Sequence, residues 1–301
     1  MAKIPVIAIV GPTALGKSDL AVSLAKKING EIISADSRQV YKGMDIGTGK
    51  ITPKEMRGIP HYMLDIAYPE RRINVVDYTK LAKQIILDIN HRGRIPIMCG
   101  GTGFYIEELL FPSGLPEVKA NNKLRNKLSK LSTERLFLML KKADVRRAKE
   151  IDPKNKVRII RALEIIESLG KVPARKKVVS PFNVKFIELD APIDFIQKKI
   201  RQRLNKRMKA GLVTEGKRLL RSGLSHKEMQ SFGLEYIWLS LLLEKRISKK
   251  EFMTGLENDI AQYARRQKTW FKKMLRNKKT LTLNTEKLSK KGLLYKTLDF
   301  I

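Results

Sequence analysis

The octet GPTALGKS, residues 11–18, comes directly after the apolar run IPVIAIV and directly before a helical repeat, and it restricts the fold more than any other stretch. Its spacing is that of a P-loop, G-x-x-x-x-G-K-[ST]. The glycines let backbone N–H groups turn inward around phosphate oxygens, and a helix beginning near Lys17 points its positive end at them. Lys17 adds a charge, and the Ser18 hydroxyl can sit on a magnesium ion. Gly11, Pro12, Thr13, Ala14, Leu15, Gly16, Lys17 and Ser18 are therefore the candidate phosphate-binding residues, with Ser18 the candidate metal ligand. The spacing is shared by nucleotide-binding and ATP-binding proteins, so it fixes a phosphate and not yet whose phosphate it is.

The rest of the first third repeats this strand-then-helix logic. Short β-branched runs at 4–10, 31–35 (EIISA), 61–66 and 95–99 (IPIMC) predict strands, and helical periodicity at 17–28 and 77–91 fills the gaps. Alternation of this kind predicts a parallel sheet covered on both faces. From about residue 115 the pattern becomes helical: LPEVKANNKLRNKLSKL, LSTERLFLMLKKA and NKVRIIRALEIIESLG, the last ended by Gly170. A strand returns at VKFIELDAP from 184, and helices run on to about 276. The expected fold class is α/β: a P-loop NTPase-like parallel-sheet core with an inserted helical domain and a helical C-terminal part. The expected domains are 1–114 with 181–301 as the core and 115–180 as the insertion. The tail NKKTLTLNTEKLSKKGLLYKTL reads as basic and weakly patterned, a segment expected to fray.

Charge is distributed unevenly over this plan. The chain carries 62 Lys and Arg against 30 Asp and Glu, a formal +32. Residues 1–110 hold 15 basic against 11 acidic residues, net +4, whereas 119–185 hold 20 against 6, net +14, and 194–276 hold 21 against 8, net +13. A uniform lysine-rich bias would have charged the first third as well, so the segregation predicts a polyanionic partner on the later segments, nucleic acid first among the candidates. No window of 18 apolar residues exists, and the N-terminal apolar run leads straight into the P-loop, so neither a membrane span nor a signal peptide is expected. Cys99 is the single cysteine, which excludes an internal disulfide and fits a reducing cytoplasm. His61, His91 and His226 have no ligand spacing, so no zinc site is expected.

The residues that can carry chemistry fall at the strand ends. Nucleotide-hydrolysing P-loop proteins usually end a second strand in a magnesium-binding aspartate; here IPIMC ends in Gly100, Gly101 and Thr102, with Asp65 in HYMLD the other candidate. Asp36, in SADSRQVYKGMDIGTGK, follows strand 31–35 on the edge that also carries the P-loop and GGTG, where open α/β sheets bind ligands. A phosphate cradle, an acid flanked by Ser37 and Gln39, and a threonine on a glycine turn thus converge on one cleft. This suits group transfer, with Asp36 as general base on an acceptor held opposite the phosphates. The plainer readings are a turn acid for Asp36 and a helix N-cap for Thr102. Two basic sets lie beyond the cleft: Arg158 and Arg161 on one helix face, and Arg265, Arg266, Lys268, Lys272 and Lys273 around a stripe of Phe252, Leu256, Ile260, Tyr263, Trp270 and Met274 that is expected to be buried, its Tyr and Trp as core residues.

Together these motifs resemble the tRNA dimethylallyltransferases: GPTALGKS at 11, DSRQVYKGMDIGTGK at 36, GGTGFYIEELL at 100, NKVRIIRALE at 155, Ile200, Arg203, Gly211, Leu212 and Glu215, and QYARRQKTWF at 262. The resemblance spans about residues 5–272. It implies that the cradle holds the diphosphate of dimethylallyl diphosphate and that the acceptor is N6 of adenosine 37, beside the anticodon, in tRNAs reading codons that start with U. It implies Asp36, Thr102, Lys17 and Arg203 as catalytic residues and Mg²⁺ as cofactor. Asp36, Ser37, Arg38, Gln39, Thr102, Arg125, Arg158, Ile159, Ile160, Arg161, Ala162, Arg265, Arg266 and Gln267 are implied to meet the tRNA anticodon stem-loop. The partners implied are tRNA and the prenyl donor, with no obligate protein partner, a monomer as default and a cytoplasmic location. The bacterial type is expected, without the zinc-finger extension of many eukaryotic relatives. It departs from the family's pattern at Lys156, where relatives have Asp, at Arg207, where methionine is common, and at Leu234 in GLEY, where relatives show Gly-Tyr and then charged residues.

Three other readings compete. A small-molecule or nucleoside kinase would share the cleft but not the basic later segments. A prenyltransferase acting on free AMP or ADP has little need of an RNA-sized basic surface. The third is a non-catalytic RNA-binding protein with a relict loop.

Overall fold

Residues Ile4–Val10 (β1) are buried from Val6 onward because this strand lies inside a sheet, paired in parallel on both sides. The computed structural model describes residues 3–174 and 178–301, so Arg175, Lys176 and Lys177 of the basic middle segment lie outside the described residues. After β1 come α1 (Lys17–Ile28), β2 (Gly30–Ala35), α2 (Pro53–Met56), β3 (His61–Tyr62), α3 (Val75–His91), β4 (Ile95–Gly100) and α4 (Gly103–Leu110). Four helices follow: α5 (Asn122–Ser129), α6 (Thr133–Ala143), α7 (Val145–Glu150) and α8 (Lys156–Leu169). The chain then forms β5 (Phe182–Asp190), α9 (Ile193–Lys209), α10 (Leu212–Arg221), α11 (His226–Gln230), α12 (Leu234–Leu243), α13 (Lys249–Met274), β6 (Thr280–Asn284) and α14 (Lys290–Phe300). The described residues of Met1–Phe111 and Ser180–Ile301 form one compact unit, and those of Pro112–Val179 form another.

In the first unit the strand order is β3-β2-β4-β1-β5-β6, and every pairing is parallel, as the alternating pattern predicts. The chain reverses direction of progression at β1, so the loops after β1, β2 and β4 gather at one carboxyl edge. The fold is therefore α/β, as expected.

The tail is a correction. Residues 280–284 form β6 on the edge of the sheet, in register with β5 from Phe186 opposite Thr280 to Asp190 opposite Asn284. Leu283 is buried, and Lys290 at the head of α14 pairs with Asp19 at 2.6 Å. The alternation TLTLN is short, and lysines on either side mask it. Strand β3 is shorter than expected, because Met63 and Asp65 take positive φ of 63° and 53° and turn the chain away.

The second unit is all helix among its described residues. Its core is Leu128, Leu136, Leu140, Ala148, Ile151, Ile159, Ala162, Ile165 and Val172. Each helix opens on a capping side chain: Asn121 accepts from Leu124 N, Ser132 from Arg135 N, Asp144 from Arg147 N and Asn155 from Arg158 N. Each such cap contributes about 0.5–2 kcal/mol. The cap at Asn121 also explains why the helix expected from 115 begins only at Asn122. Lys156 gives its ammonium to the carbonyls of Ser129 and Leu131 at 2.8 and 2.6 Å, so this departure ties α8 to the end of α5. No helix among the described residues is long and apolar enough to cross a membrane.

Candidate active site

At the end of β1 the backbone passes so close to β5 that a Cβ on Gly11 would collide with the Leu189 carbonyl oxygen, and its φ is 132°. The loop then rises to Gly16, a left-handed N-cap, and α1 begins at Lys17. Lys17 folds back so that Nζ donates to the Pro12 carbonyl at 2.7 Å. Leu15 is buried in the core, while Ser18 is exposed at the loop's rim. Thr13 is held twice: its N–H donates to Gln267 Oε1 at 2.9 Å, and its hydroxyl accepts from Arg203 Nη2 at 2.5 Å. The cradle expected from GPTALGKS is thus shaped partly by helices α9 and α13, about 190 and 254 residues away in sequence.

The opposite wall is built on the ends of β2 and β4. Asp36 Oδ1 accepts from the N–H groups of Arg38 and Gln39 at 2.8 and 3.3 Å, so the turn role is filled and the carboxylate is held in one orientation. Asp36 still lines a cavity of about 680 Å³, together with Lys17, Ser18, Gln39, Arg203 and Tyr263. Thr102 stands at the N-cap position of α4 but makes no cap; its hydroxyl accepts instead from Ser37 N at 3.0 Å and stitches the two turns together. Gln267 Nε2 donates to Gly101 O at 2.8 Å, so one buried amide spans the P-loop and the GGTG turn.

Electrostatics distinguish this cavity from an ordinary polar cleft. Burial lowers the Lys17 ammonium to about 8, assisted by the nearby Arg203. Arg203 is lowered to about 9, by burial first and then by the like charge of Arg207. Both cations sit on neutral acceptors, a carbonyl and a hydroxyl, so an entering anion would relieve both. Burial pushes the Cys99 thiol, also on the cavity wall, up to about 11. Among the described residues no group of three His, Cys, Asp or Glu side chains could hold a metal. A lone hydroxyl such as Ser18 nevertheless fits Mg²⁺, which keeps its waters and takes most of its remaining ligands from phosphate oxygens. Asp65, the alternative strand-end acid, is taken up by Lys50 at 2.5 Å.

Several expectations change. Tyr263 is half-buried and lines the cavity instead of the core, and burial with Asp36 nearby pushes its hydroxyl up to about 12. Trp270 is 37% exposed, and the buried stripe of α13 runs instead through Ala264, Gln267 and Phe271. Ile159 and Ala162 are core residues at 0% and 2% exposure, so their side chains cannot form an RNA-facing surface, and Gln267 is likewise an internal brace at 5%. Arg125 forks onto the buried Glu164 at 2.8 and 2.7 Å, and Arg161 pairs with the same carboxylate and with Val118 O. Arg158 is exposed and Ile160 half-buried; Arg265 and Arg266 are exposed on α13.

Two further residues organise the loop at 45–49. Glu215 accepts the N–H groups of Asp45, Ile46 and Gly47 at 2.8, 2.7 and 2.9 Å, and the Tyr236 hydroxyl at 3.0 Å. Two of the departures prove to be one feature: Arg207 pairs with Glu235, next to Leu234, at 3.0 Å. Only the family pattern around Glu215 and Arg207 marked them in sequence; no local motif did.

A family model described as IPP transferase matches residues 39–274. Among curated relatives, the tRNA dimethylallyltransferase of Thermoanaerobacter sp. is 40% identical over 280 residues, covering 89% of each chain. That of Staphylococcus epidermidis is 39% identical over 302 residues, covering 96% of this chain and 89% of the relative. The crystal structure of the full-length tRNA isopentenylpyrophosphate transferase from Bacillus halodurans superposes with a TM-score of 0.73 at 35% identity, over 99% of this chain and 95% of that one. A eukaryotic dimethylallyltransferase, captured acting on tRNA, gives 0.77 at 25% identity, over 93% and 74%.

Proposed function

This chain belongs to the IPP transferase family, the tRNA dimethylallyltransferases, and from that premise we propose that it moves a dimethylallyl group from dimethylallyl diphosphate to N6 of adenosine 37 in tRNAs reading codons that start with U. The products are N6-(dimethylallyl)adenosine and diphosphate. The observation that carries the reading at the level of this chain's own residues is the pair Lys17 and Arg203, two cations on neutral acceptors beside a glycine-lined loop.

In this reading the P-loop amides, Lys17 and Arg203 receive the charge that gathers on the diphosphate as the allylic C–O bond breaks. Ser18 would hold Mg²⁺ with the diphosphate oxygens, and the ion when bound supplies further neutralisation of the leaving group. The N6 lone pair is delocalised into the purine, so the attacking amine needs a base. Asp36, fixed by two N–H groups on Oδ1, presents Oδ2 to the N6 proton as the N–C bond forms. Thr102 and Tyr263 hold the adenosine against it. A stacked base cannot reach such a cavity, so the adenosine is extruded at a cost of a few kcal/mol. In the α/β unit Arg38 and Ser37 near the turn and Arg265 and Arg266 on α13 meet the RNA. In the helical unit Arg158 and Ile160 on α8 do so, while Arg125 and Arg161 serve as internal braces on Glu164. The enzyme works as a monomer in the cytoplasm, where its tRNA is.

The test is incubation with purified tRNA and labelled dimethylallyl diphosphate, followed by nucleoside analysis. Labelled N6-(dimethylallyl)adenosine is expected. Phosphoryl transfer from ATP to a small acceptor, unaffected by tRNA, would overturn the reading in favour of a kinase.

A further inference from the structure

Helix α9 carries Arg203 and Arg207 one turn apart, and the second has no place in the reaction so far. Arg207 is 6% exposed. Its Nη1 donates to Gly47 O and to Glu235 Oε1, both at 3.0 Å. Its Nη2 is buried with no hydrogen-bond partner among the described residues. The backbone of Gly49 lies directly against the guanidinium: a Cβ there would collide with Nη2, and φ at Gly49 is 61°. Gly49 O in turn accepts from Gln39 Nε2 at 3.3 Å, and Gln39 N donates to Asp36 Oδ1.

These contacts form a chain from α9 to the carboxylate. Arg203 reaches the phosphate cradle through Thr13, and Arg207 reaches the acceptor side through Gly47, Gly49 and Gln39. Glu215 pins the 45–47 amides from α10, so Arg207 bears on a segment that is already held at one end. As a stabilising device the arrangement is poor. A buried ion pair often does no better than apolar residues of the same volume, and an orphaned buried donor adds a penalty. A buried donor left unsatisfied in a native fold calls for a role other than stability.

We propose that Arg207 is a positioning residue for prenyl transfer, setting the Gly47–Gly49 segment that supports Gln39 and, through it, the orientation of Asp36. The proposal rests on the reading of the cleft as the site of transfer to adenosine. It is tested on the full-length chain with tRNA and dimethylallyl diphosphate, using Arg207→Met and the double variant Arg207→Met with Glu235→Leu. Each is scored for kcat, for the KM of both substrates and for Tm. Arg207→Met is expected to lower kcat at least tenfold while both KM values stay within about threefold, and to lower Tm because the half-buried Glu235 loses its partner. The double variant removes that stranded charge, so it regains Tm but keeps the loss of kcat. Return of kcat together with Tm would make the pair purely structural and overturn the proposal. So would a loss confined to the donor KM, which would put Arg207 on the phosphate side. If Arg207→Met does not fold, the double variant alone decides. A wild-type chain that transfers nothing would sink the functional reading itself, an outcome distinct from the other two.

Discussion

Arg203 and Arg161 are both half-buried arginines on helices, and both come from strongly basic stretches, yet the two compact units engage them in opposite ways. In the α/β unit Arg203 rests on a threonine hydroxyl, with Lys17 on a carbonyl, so positive charge stays uncompensated beside the P-loop. In the helical unit Arg161 and Arg125 close on Glu164, whose carboxylate also takes the Asn121 N–H. Burial pushes Glu164 up, but Arg125, that N–H and Arg161 outweigh it and hold the group down at about 2. A count of basic residues cannot separate these cases. What separates them is whether a carboxylate lies within reach, and that is a property of packing.

The sharpest way to break the comparison is to remove the proposed base, Asp36, which lines the same cavity as the two cations. Asp36→Asn preserves the hydrogen bonds to Arg38 and Gln39 and removes only proton acceptance, so kcat should fall by about 10²- to 10⁴-fold with tRNA affinity little changed. Retained turnover in single-turnover assays would return Asp36 to a turn residue. Next in size, Arg203→Gln should cost about 10²- to 10³-fold in kcat by withdrawing one donor from the developing diphosphate charge. Arg161→Gln, at saturating tRNA, should leave kcat unchanged. Equal losses in the two variants would erase the distinction between the units.

The distinction was only partly legible in the chain. The strand 4–10, the loop and the helix 17–28 were readable to the residue because a phosphate cradle leaves little freedom in spacing. The helix ended by Gly170 was readable from its period and its stop. Tyr263 and Gln267 were not. A period of 3.6 reports that a face points inward, not whether it meets core or cleft, and Asp36 on the cavity that Tyr263 lines, like the Gln267 partners Thr13 and Gly101, lies more than 150 residues away. Glu164 was hidden for the same reason: an acid inside NKVRIIRALEII looks like one more solvated charge until Arg125 folds onto it.

Glu164→Gln probes that hidden acid with a smaller effect. Losing the carboxylate from a buried network should destabilise the helical unit by about 1–3 kcal/mol. Its folded value lies below the ordinary 4.5, so its stabilisation is complete above about 4.5 and is lost as pH falls toward about 2. Protection of the α8 amides, taken relative to the intrinsic exchange rate at each pH, should therefore fall across that window in the wild-type chain and show no such step in Glu164→Gln. A step that survived the substitution would assign the acid sensitivity elsewhere.

The smallest effect expected separates arginines within the helical unit itself. Arg158 is exposed on the same helix as Arg161, and its backbone N–H, not its guanidinium, is the part used by the fold, in the cap on Asn155. Arg158→Ala should leave stability within about 0.5 kcal/mol, as for a surface change away from packed features. If its guanidinium meets an RNA phosphate, the slope of log affinity against log salt for tRNA should shrink by about 1. Arg125→Ala should do the reverse, since it strips Glu164 of its forked partner while removing no free charge from the surface: stability falls and the salt slope holds. A reduced slope for Arg125→Ala with stability intact would mean that RNA binding draws the guanidinium off Glu164, and the helical unit would then store cations for its partner much as the P-loop cavity does.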